Sequence, residues 1–150
     1  MINEFKAYHG SAFAELIDES TVPITLFRPD LSNNAVYILN NSIGLFIKHS
    51  TKRISPWRFS FQTDHVKSVL KLTQKFEHTF MVLICGRYSI AVLNKQEIED
   101  LLPLNSPATS WVSVNSSHNT MLTVEGSSGK LKRKIRKSQP FYQIKEILEN

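Results

Sequence analysis

The chain holds one cysteine, Cys85, in 150 residues. A lone thiol excludes an internal disulfide framework and a cysteine-based zinc site. Glycine is scarce, at five residues, which leaves little for a nucleotide-cradling loop. Walker A, Gly-x-Gly-x-x-Gly, Gly-x-Ser-x-Gly and His-Glu-x-x-His sequences are absent. No apolar run approaches the ~20 residues that span a bilayer. The start, Met1-Ile2-Asn3-Glu4-Phe5-Lys6, has no basic stretch leading into an apolar one and does not read as a secretory signal. A cytoplasmic (intracellular) protein with no membrane partner is expected. What is present is core material: 41% hydrophobic residues and nine Phe. That composition argues against disorder, and the length suits a single domain, 1–150.

The net charge of +5 is unevenly placed. Residues 43–75 hold Lys48, Lys52, Arg53, Arg58, Lys67, Lys71 and Lys75 against Asp64 alone, a net +6. Residues 126–140 hold Lys130, Lys132, Arg133, Lys134, Arg136 and Lys137 with no acid, again +6. The rest of the chain is mildly acidic. Two basic blocks on such a body suit a polyanion, most often a phosphate backbone. Solvated faces that keep the chain soluble are the plainer alternative.

Hydrophobic periodicity orders the chain. Ala12 to Ile17 reads as a short helix, with Ser11 a possible cap. Thr21–Phe27 reads as a strand whose start is loosened by Pro23. Pro29 to Asn34 is turn chemistry. Ala35–Leu39 and Ile43–Lys48 form a hairpin around Asn40-Asn41-Ser42. Trp57–Phe61 alternates with period two and could extend the same sheet. Thr63 caps a helix from Asp64 to Phe76, with Val66, Val69, Leu70 and Thr73 inward and Lys67, Lys71 and Lys75 outward. Thr79–Cys85 reads as a strand buried on both faces, with Cys85 an inert core residue. Tyr88–Leu93 is a further strand, and Asn94 caps a helix from Lys95 to Leu102. Trp111–Val114, Met121–Glu125 and Leu131–Ile135 read as strands, the last two flanking Gly-Ser-Ser-Gly. Gln143–Leu148 reads as a final short helix. The fold class expected is α/β (α+β): a mixed central sheet with flanking helices over about 10–102, and a basic C-terminal β-hairpin extension over about 110–150.

Helix, three-strand meander, helix and buried strand is an order that resembles the PD-(D/E)XK, or restriction-endonuclease-like, nuclease superfamily. The resemblance covers about residues 10–93 and rests on Pro29-Asp30 before one strand and Lys48 near the end of the next. It breaks at Phe46, where that superfamily shows Glu, Asp or Gln. The resemblance implies Mg²⁺-dependent hydrolysis of phosphodiester bonds, with carboxylates holding the metal and a lysine easing charge on the phosphate. It implies Lys48, Asp30 and Glu15 as catalytic residues, and Asp30, Glu15 and Asp64 as metal ligands. Glu15 is proposed because some members carry an acid on the first helix, and Asp64 because some move the second acid onto the second helix.

Each of these residues also has a plainer role. Asp30 suits a turn, Glu15 a solvated helix face, and Asp64 the positive end of a helix. The stretch Lys48-His49-Ser50-Thr51-Lys52-Arg53-Ile54-Ser55-Pro56-Trp57-Arg58 is the most informative. Lys52, Arg53 and Arg58 suit phosphates, and the hydroxyls suit phosphate oxygens. Trp57 either stacks on a base or enters the core. His49 is a candidate acid-base group or phosphate contact, although a lone histidine in a basic stretch is usually neither, and His9, His65, His78 and His118 show no metal-ligand spacing. Tyr8-His9-Gly10 weakly suggests backbone amides for a phosphate. In Lys130 to Lys137, extended backbone would put Lys130, Lys132, Lys134 and Arg136 on one wholly cationic face, with Arg133 and Lys137 opposite. Such a ribbon fits the major groove of DNA.

Three functions therefore compete: a metal-dependent endonuclease that binds DNA, an inactive nucleic-acid-binding module, and an immunity or regulatory partner of an acidic protein. Double-stranded DNA is expected in preference to RNA. Cutting both strands of a duplex would call for a homodimer or higher homo-oligomer.

Overall fold

The computed structural model describes residues 1–116 and 121–150; His118 lies outside them. Among the described residues, the fold is a mixed α+β arrangement of four helices and two sheets. Helix α1 runs Glu4–Glu19, longer at both ends than its apolar stripe suggests. Strands β1 (Leu26–Phe27), β2 (Val36–Leu39) and β3 (Ile43–Ser50) form an antiparallel meander, with Val36 opposite Phe46 and Leu39 opposite Ile43. The strand expected over Thr21–Phe27 shrinks to two residues. Pro23 has no amide to donate, and the Asn40 side chain takes the Thr25 N–H that a ladder would have used, at 2.7 Å.

Helix α2 (Thr63–Lys75) returns the chain to β5 (His78–Cys85), which lies parallel to β3 along its full length, Ile43 beside His78 and Ser50 beside Cys85. Strand β6 (Ser89–Leu93) closes the first sheet, in the order β1-β2-β3-β5-β6. Residues alternate between its two faces. Phe46, Met81, Leu83 and Cys85 face one core, while Leu45, Ile47, Phe80 and Val82 face another. Burial on both sides explains the unbroken apolar run of β5. It also pushes the Cys85 thiol up to about 12, so the thiol is inert.

Trp57–Phe61, strand β4, does not extend this sheet. It pairs antiparallel with β7 (Ser110–Ser116), at the edge of a second sheet ordered β10-β8-β7-β4. The alternation is half-buried as the sequence suggests: Trp57, Phe59 and Phe61 are buried and Arg58 and Ser60 exposed. Trp57 is therefore core, and its indole N–H donates to the Lys52 carbonyl at 2.9 Å. The second sheet also holds β8 (Met121–Gly126), β9 (Gly129–Lys130) and β10 (Ile135–Arg136). Its apolar face packs with Phe46, Met81, α2 and α3 (Lys95–Leu101) in one core. Residues 110–150 are thus half of a two-sheet body and not an appended hairpin, because β4 from the first half pairs with β7 from the second. Helices α1 and α4 (Tyr142–Glu149) cover the outer face of the first sheet through Ala12, Leu16, Phe141 and Ile144.

The cationic ribbon forms only in part. Lys130 pairs with β8 opposite Glu125, the Leu131 N–H donates to the Val124 carbonyl at 3.0 Å, and Ile135 and Arg136 pair opposite Leu122 and Met121, while 132–134 leave the ladder. Ile135 is buried at that pairing, and of the charged residues before it Arg133 turns to Glu97.

Candidate functional site

A cleft of about 530 Å³ opens between the first half of α1, the turn Asp30–Ala35, the end of β3 and the start of α2. Asp30, Lys48 and Asp64 all line it, so three of the four residues proposed for a site border one cleft. Each is placed by its own local structure. Asp30 Oδ1 accepts from the Ser32 N–H at 2.9 Å and the Ser32 hydroxyl at 2.6 Å, an Asx turn that holds its carboxyl below the usual range. Lys48 leaves β3 on the same face as Phe46, and its ammonium lies 5.0 Å from the Phe61 ring. Burial lowers its pKa, and the Asp64 carboxylate opposes that. Asp64 Oδ1 accepts from the His65 N–H at 3.0 Å in the first turn of α2.

Glu15 does not join them. It sits further along α1 beside Glu19, away from the cleft-lining Phe5 and His9. Residues four apart share a helix face, and this neighbour together with burial raises the Glu19 carboxyl to about 7. Phe46 is 1% exposed and packs toward Phe61, ring centroids 6.0 Å apart. The position that would carry a second acid on β3 is therefore core.

Three histidines that the sequence does not bring together line the same cleft. They are 40 and 16 positions apart, so no local spacing announces them. His49 points to the opposite face of β3 from Lys48. Its Nε2 meets Glu4 Oε1 at 2.9 Å, and its ring stacks on Tyr8 at 4.6 Å and 12°. His9 is 3% exposed, with Nδ1 2.8 Å from the Tyr37 hydroxyl. Burial, His49 and Arg28 lower it to about 4, so it is neutral at pH 7. His65 accepts the Gln62 N–H on Nδ1 at 3.2 Å, which leaves Nε2 as the protonated nitrogen of its neutral ring. Gln62 thus caps α2, where Thr63 was expected. Burial and Lys48 lower the His65 pKa.

Beyond the Tyr8–His49 stack lies a basin of about 500 Å³ lined by Tyr8, Thr51, Lys52, Arg53, Arg87 and Tyr88. It stands at the carboxyl ends of the parallel pair β3 and β5, the usual place for ligands on such sheets. Gly86, at φ +58°, makes the turn after β5. Its N–H donates to the Ser50 carbonyl at 2.8 Å, and a Cβ there would lie 2.4 Å from the Lys52 carbonyl oxygen. The sharp turn brings Arg87 beside Lys52 and Arg53. Arg87 was hidden in an acidic segment of the sequence. Comparison with family models, curated proteins and solved structures gave no match. The site must therefore be judged on its own chemistry.

The other predicted contacts scatter. Arg58 stacks over Trp111, guanidinium carbon 4.4 Å from the ring centroid. Lys130, Lys132 and Arg133 line a groove along α3, where Arg133 donates to Glu97 at 3.0 Å. Lys134 and Arg136 line another beside Tyr142. Arg136 donates to the Ser138 carbonyl at 2.9 Å and lies over the Tyr142 ring at 4.6 Å. Only Lys137 approaches the basin. Its ammonium donates to the Tyr88 hydroxyl at 2.6 Å and to Ser116 Oγ at 2.8 Å.

Among the described residues, no group of three or more His, Cys, Asp and Glu side chains is arranged to hold a metal ion. Two cleft carboxylates remain, Asp30 and Asp64, each with one oxygen outside the bonds given above. Mg²⁺ is commonly held by one or two carboxylates, with water and substrate phosphate completing its octahedron. The donor set meets that minimum and no more. Among the described residues, no helix is long and apolar enough to cross a membrane.

Proposed function

We propose that the protein binds nucleic acid and hydrolyses its phosphodiester bonds, with Mg²⁺ held by Asp30 and Asp64. The observation that carries this reading is that Asp30, Lys48 and Asp64 border one cleft beside a basin that carries Lys52, Arg53 and Arg87. A bound Mg²⁺ supplies charge relief on the phosphate and a water of lowered pKa. The chain supplies the rest. Lys48, its amine partly stripped of water, faces charge that develops on a phosphate oxygen. Asp64 keeps that amine protonated. Lys52, Arg53 and Arg87 bind neighbouring phosphates and fix the register of the strand. If both strands of a duplex are cut, two copies must act together.

A second reading, binding without chemistry, is favoured by Phe46, which removes the acid usually found two residues before the lysine. The two readings separate in one experiment. Plasmid, single-stranded DNA and RNA are incubated with Mg²⁺, Mn²⁺ or a chelator, using wild type, Lys48→Ala and Asp64→Asn. Metal-dependent cutting that falls roughly a hundredfold or more in both variants, with binding kept within a few-fold, is the expected result. Binding with no cutting in any arm would leave only the second reading. No binding and no cutting would remove both.

A further inference from the structure

We propose that the nucleic acid taken by this surface is single-stranded, seated in the basin of Tyr8, Lys52, Arg53, Arg87 and Tyr88 at the carboxyl ends of β3 and β5. The inference rests on the nucleic-acid reading and names its substrate class. Two observations carry it, one about what is built and one about what is not.

The basin is concave and combines cations with aromatic rings. A phosphodiester strand with splayed bases needs both: cations to follow the backbone and π-faces for the bases. Tyr8 stands at its edge with one ring face on His49, so a base seated on the other side would continue a short stack toward the cleft. Tyr88 is differently used. Its ring lies against Trp57, 5.3 Å apart and 24° from parallel, and the Lys137 ammonium lies 4.8 Å from its centroid. Its hydroxyl is held by Lys137 at 2.6 Å and Ser116 at 3.2 Å, so Tyr8 is the ring that serves a base. The cations also stand on a firm frame. The Lys52 carbonyl accepts the Trp57 indole N–H, the Lys52 ammonium donates to the Pro56 carbonyl at 3.0 Å, and Gly86 ties the β5 turn to Ser50. Lys52, Arg53 and Arg87 are nonetheless exposed. The backbone frame is therefore ordered before a strand binds, and only the exposed side chains remain to be ordered on it.

A duplex needs a different shape: a helix or two-stranded ribbon that projects into a groove. The ribbon that the basic run 130–137 would have made is interrupted. It pairs with β8 at Lys130 and again at Ile135 and Arg136, residues 132–134 between are off the ladder, and Arg133 and Arg136 are turned onto Glu97 and Ser138. The cations that remain together line a hollow about 500 Å³ in volume, which suits a nucleotide or two of a single strand.

Fluorescence anisotropy with a chelator present tests this. The probes are a labelled 12-nucleotide DNA of mixed sequence, the same sequence as RNA, and a blunt hairpin duplex. The DNA or RNA strand should bind at least roughly tenfold more tightly than the duplex. Arg87→Glu should weaken single-strand binding roughly tenfold and make its salt dependence shallower. Tyr8→Ala should cost a similar factor through lost stacking. A thermal melt of each variant shows whether α1 is still in place, and Arg87, on an exposed turn, keeps the test decisive if Tyr8→Ala unfolds. Duplex binding equal to or tighter than both single strands would overturn the inference while leaving the function standing. Unchanged single-strand affinity in Arg87→Glu would also overturn it. Failure of all three probes to bind would instead remove the function itself.

Discussion

The two basic blocks carry the same net charge, +6 over residues 43–75 and +6 over 126–140, yet the fold uses them differently. The first is borne by β3, β4 and α2, whose apolar faces are buried in the core between and beside the sheets. Its Lys52 and Arg53 follow the end of a buried strand and stay exposed around a hollow. The second is borne by two strands of two residues each. With so little buried, its cations settle on whatever lies near: a carboxylate at Glu97, a carbonyl at Ser138, the Tyr142 ring, the Tyr88 hydroxyl. Charge density in a sequence is therefore not a charged surface. Cations act together when rigid elements hold them around one hollow.

The sharpest contrast lies in the wall behind the first block. His9 is buried and neutral, with a pKa of about 4 against an ordinary value of 6.5. The native state therefore binds fewer protons than the unfolded chain between those values. Its contribution is intact above pH 6.5 and is lost as pH falls to 4, by on the order of 3 kcal/mol. Urea unfolding at pH 7 and at pH 4.5 should show that loss. His9→Gln, which can still bond Tyr37, should flatten it. An equal acid loss in the variant would place the titration elsewhere.

A charge swap breaks or confirms the comparison directly. Lys52→Glu with Arg53→Glu should weaken nucleic-acid binding roughly 30-fold, about 2 kcal/mol, and make its salt dependence shallower. Lys130→Glu with Lys132→Glu, the same change of charge, should stay within about threefold. Anisotropy titrations of both at one ionic strength decide. Equal losses would mean that net charge, not placement, governs binding.

Much of the architecture was legible in the sequence and much of the site was not, for physical reasons. The periodicities of β2, β3, α2, β5 and α3 are strong because each buries a face or both. Alternation over Trp57–Phe61 correctly signals a half-buried strand, but it carries no information on which sheet accepts it. Asp30, Lys48 and Asp64 border one cleft because their neighbours in sequence form turns, strand ends and helix starts that converge. Glu15 was misplaced because a helix carries an acid to a face set by its distant packing, here next to Glu19. His9, His49 and His65 come from α1, β3 and α2, and only the meander and crossover bring them to one cleft. Arg87 lay in an acidic stretch, and the turn at Gly86 alone delivers it to the basin.

The smallest expected effect concerns how the second block's end is held. The Phe141 N–H donates to Glu19 Oε1 at 3.1 Å, which links the approach to α4 with the end of α1. Burial and the neighbouring Glu15 raise Glu19 to about 7 from 4.5, so the native state binds more protons than the unfolded chain between these values. This contribution is present below pH 4.5 and is lost as pH rises through 7, opposite in sign to that of His9. Glu19 is partly exposed, and solvent screening reduces the effect to about 1 kcal/mol. Glu19→Gln keeps an oxygen for Phe141 and removes the charge. It should match wild type near pH 5 and exceed it by about that amount at pH 8. Two unfolding curves at each pH are enough, and nucleic-acid affinity should stay unchanged because the link is remote from the basin. A variant no more stable than wild type at pH 8 would show that the Glu15–Glu19 pair bears no strain. The acid-side loss at His9 would then have no counterpart at Glu19.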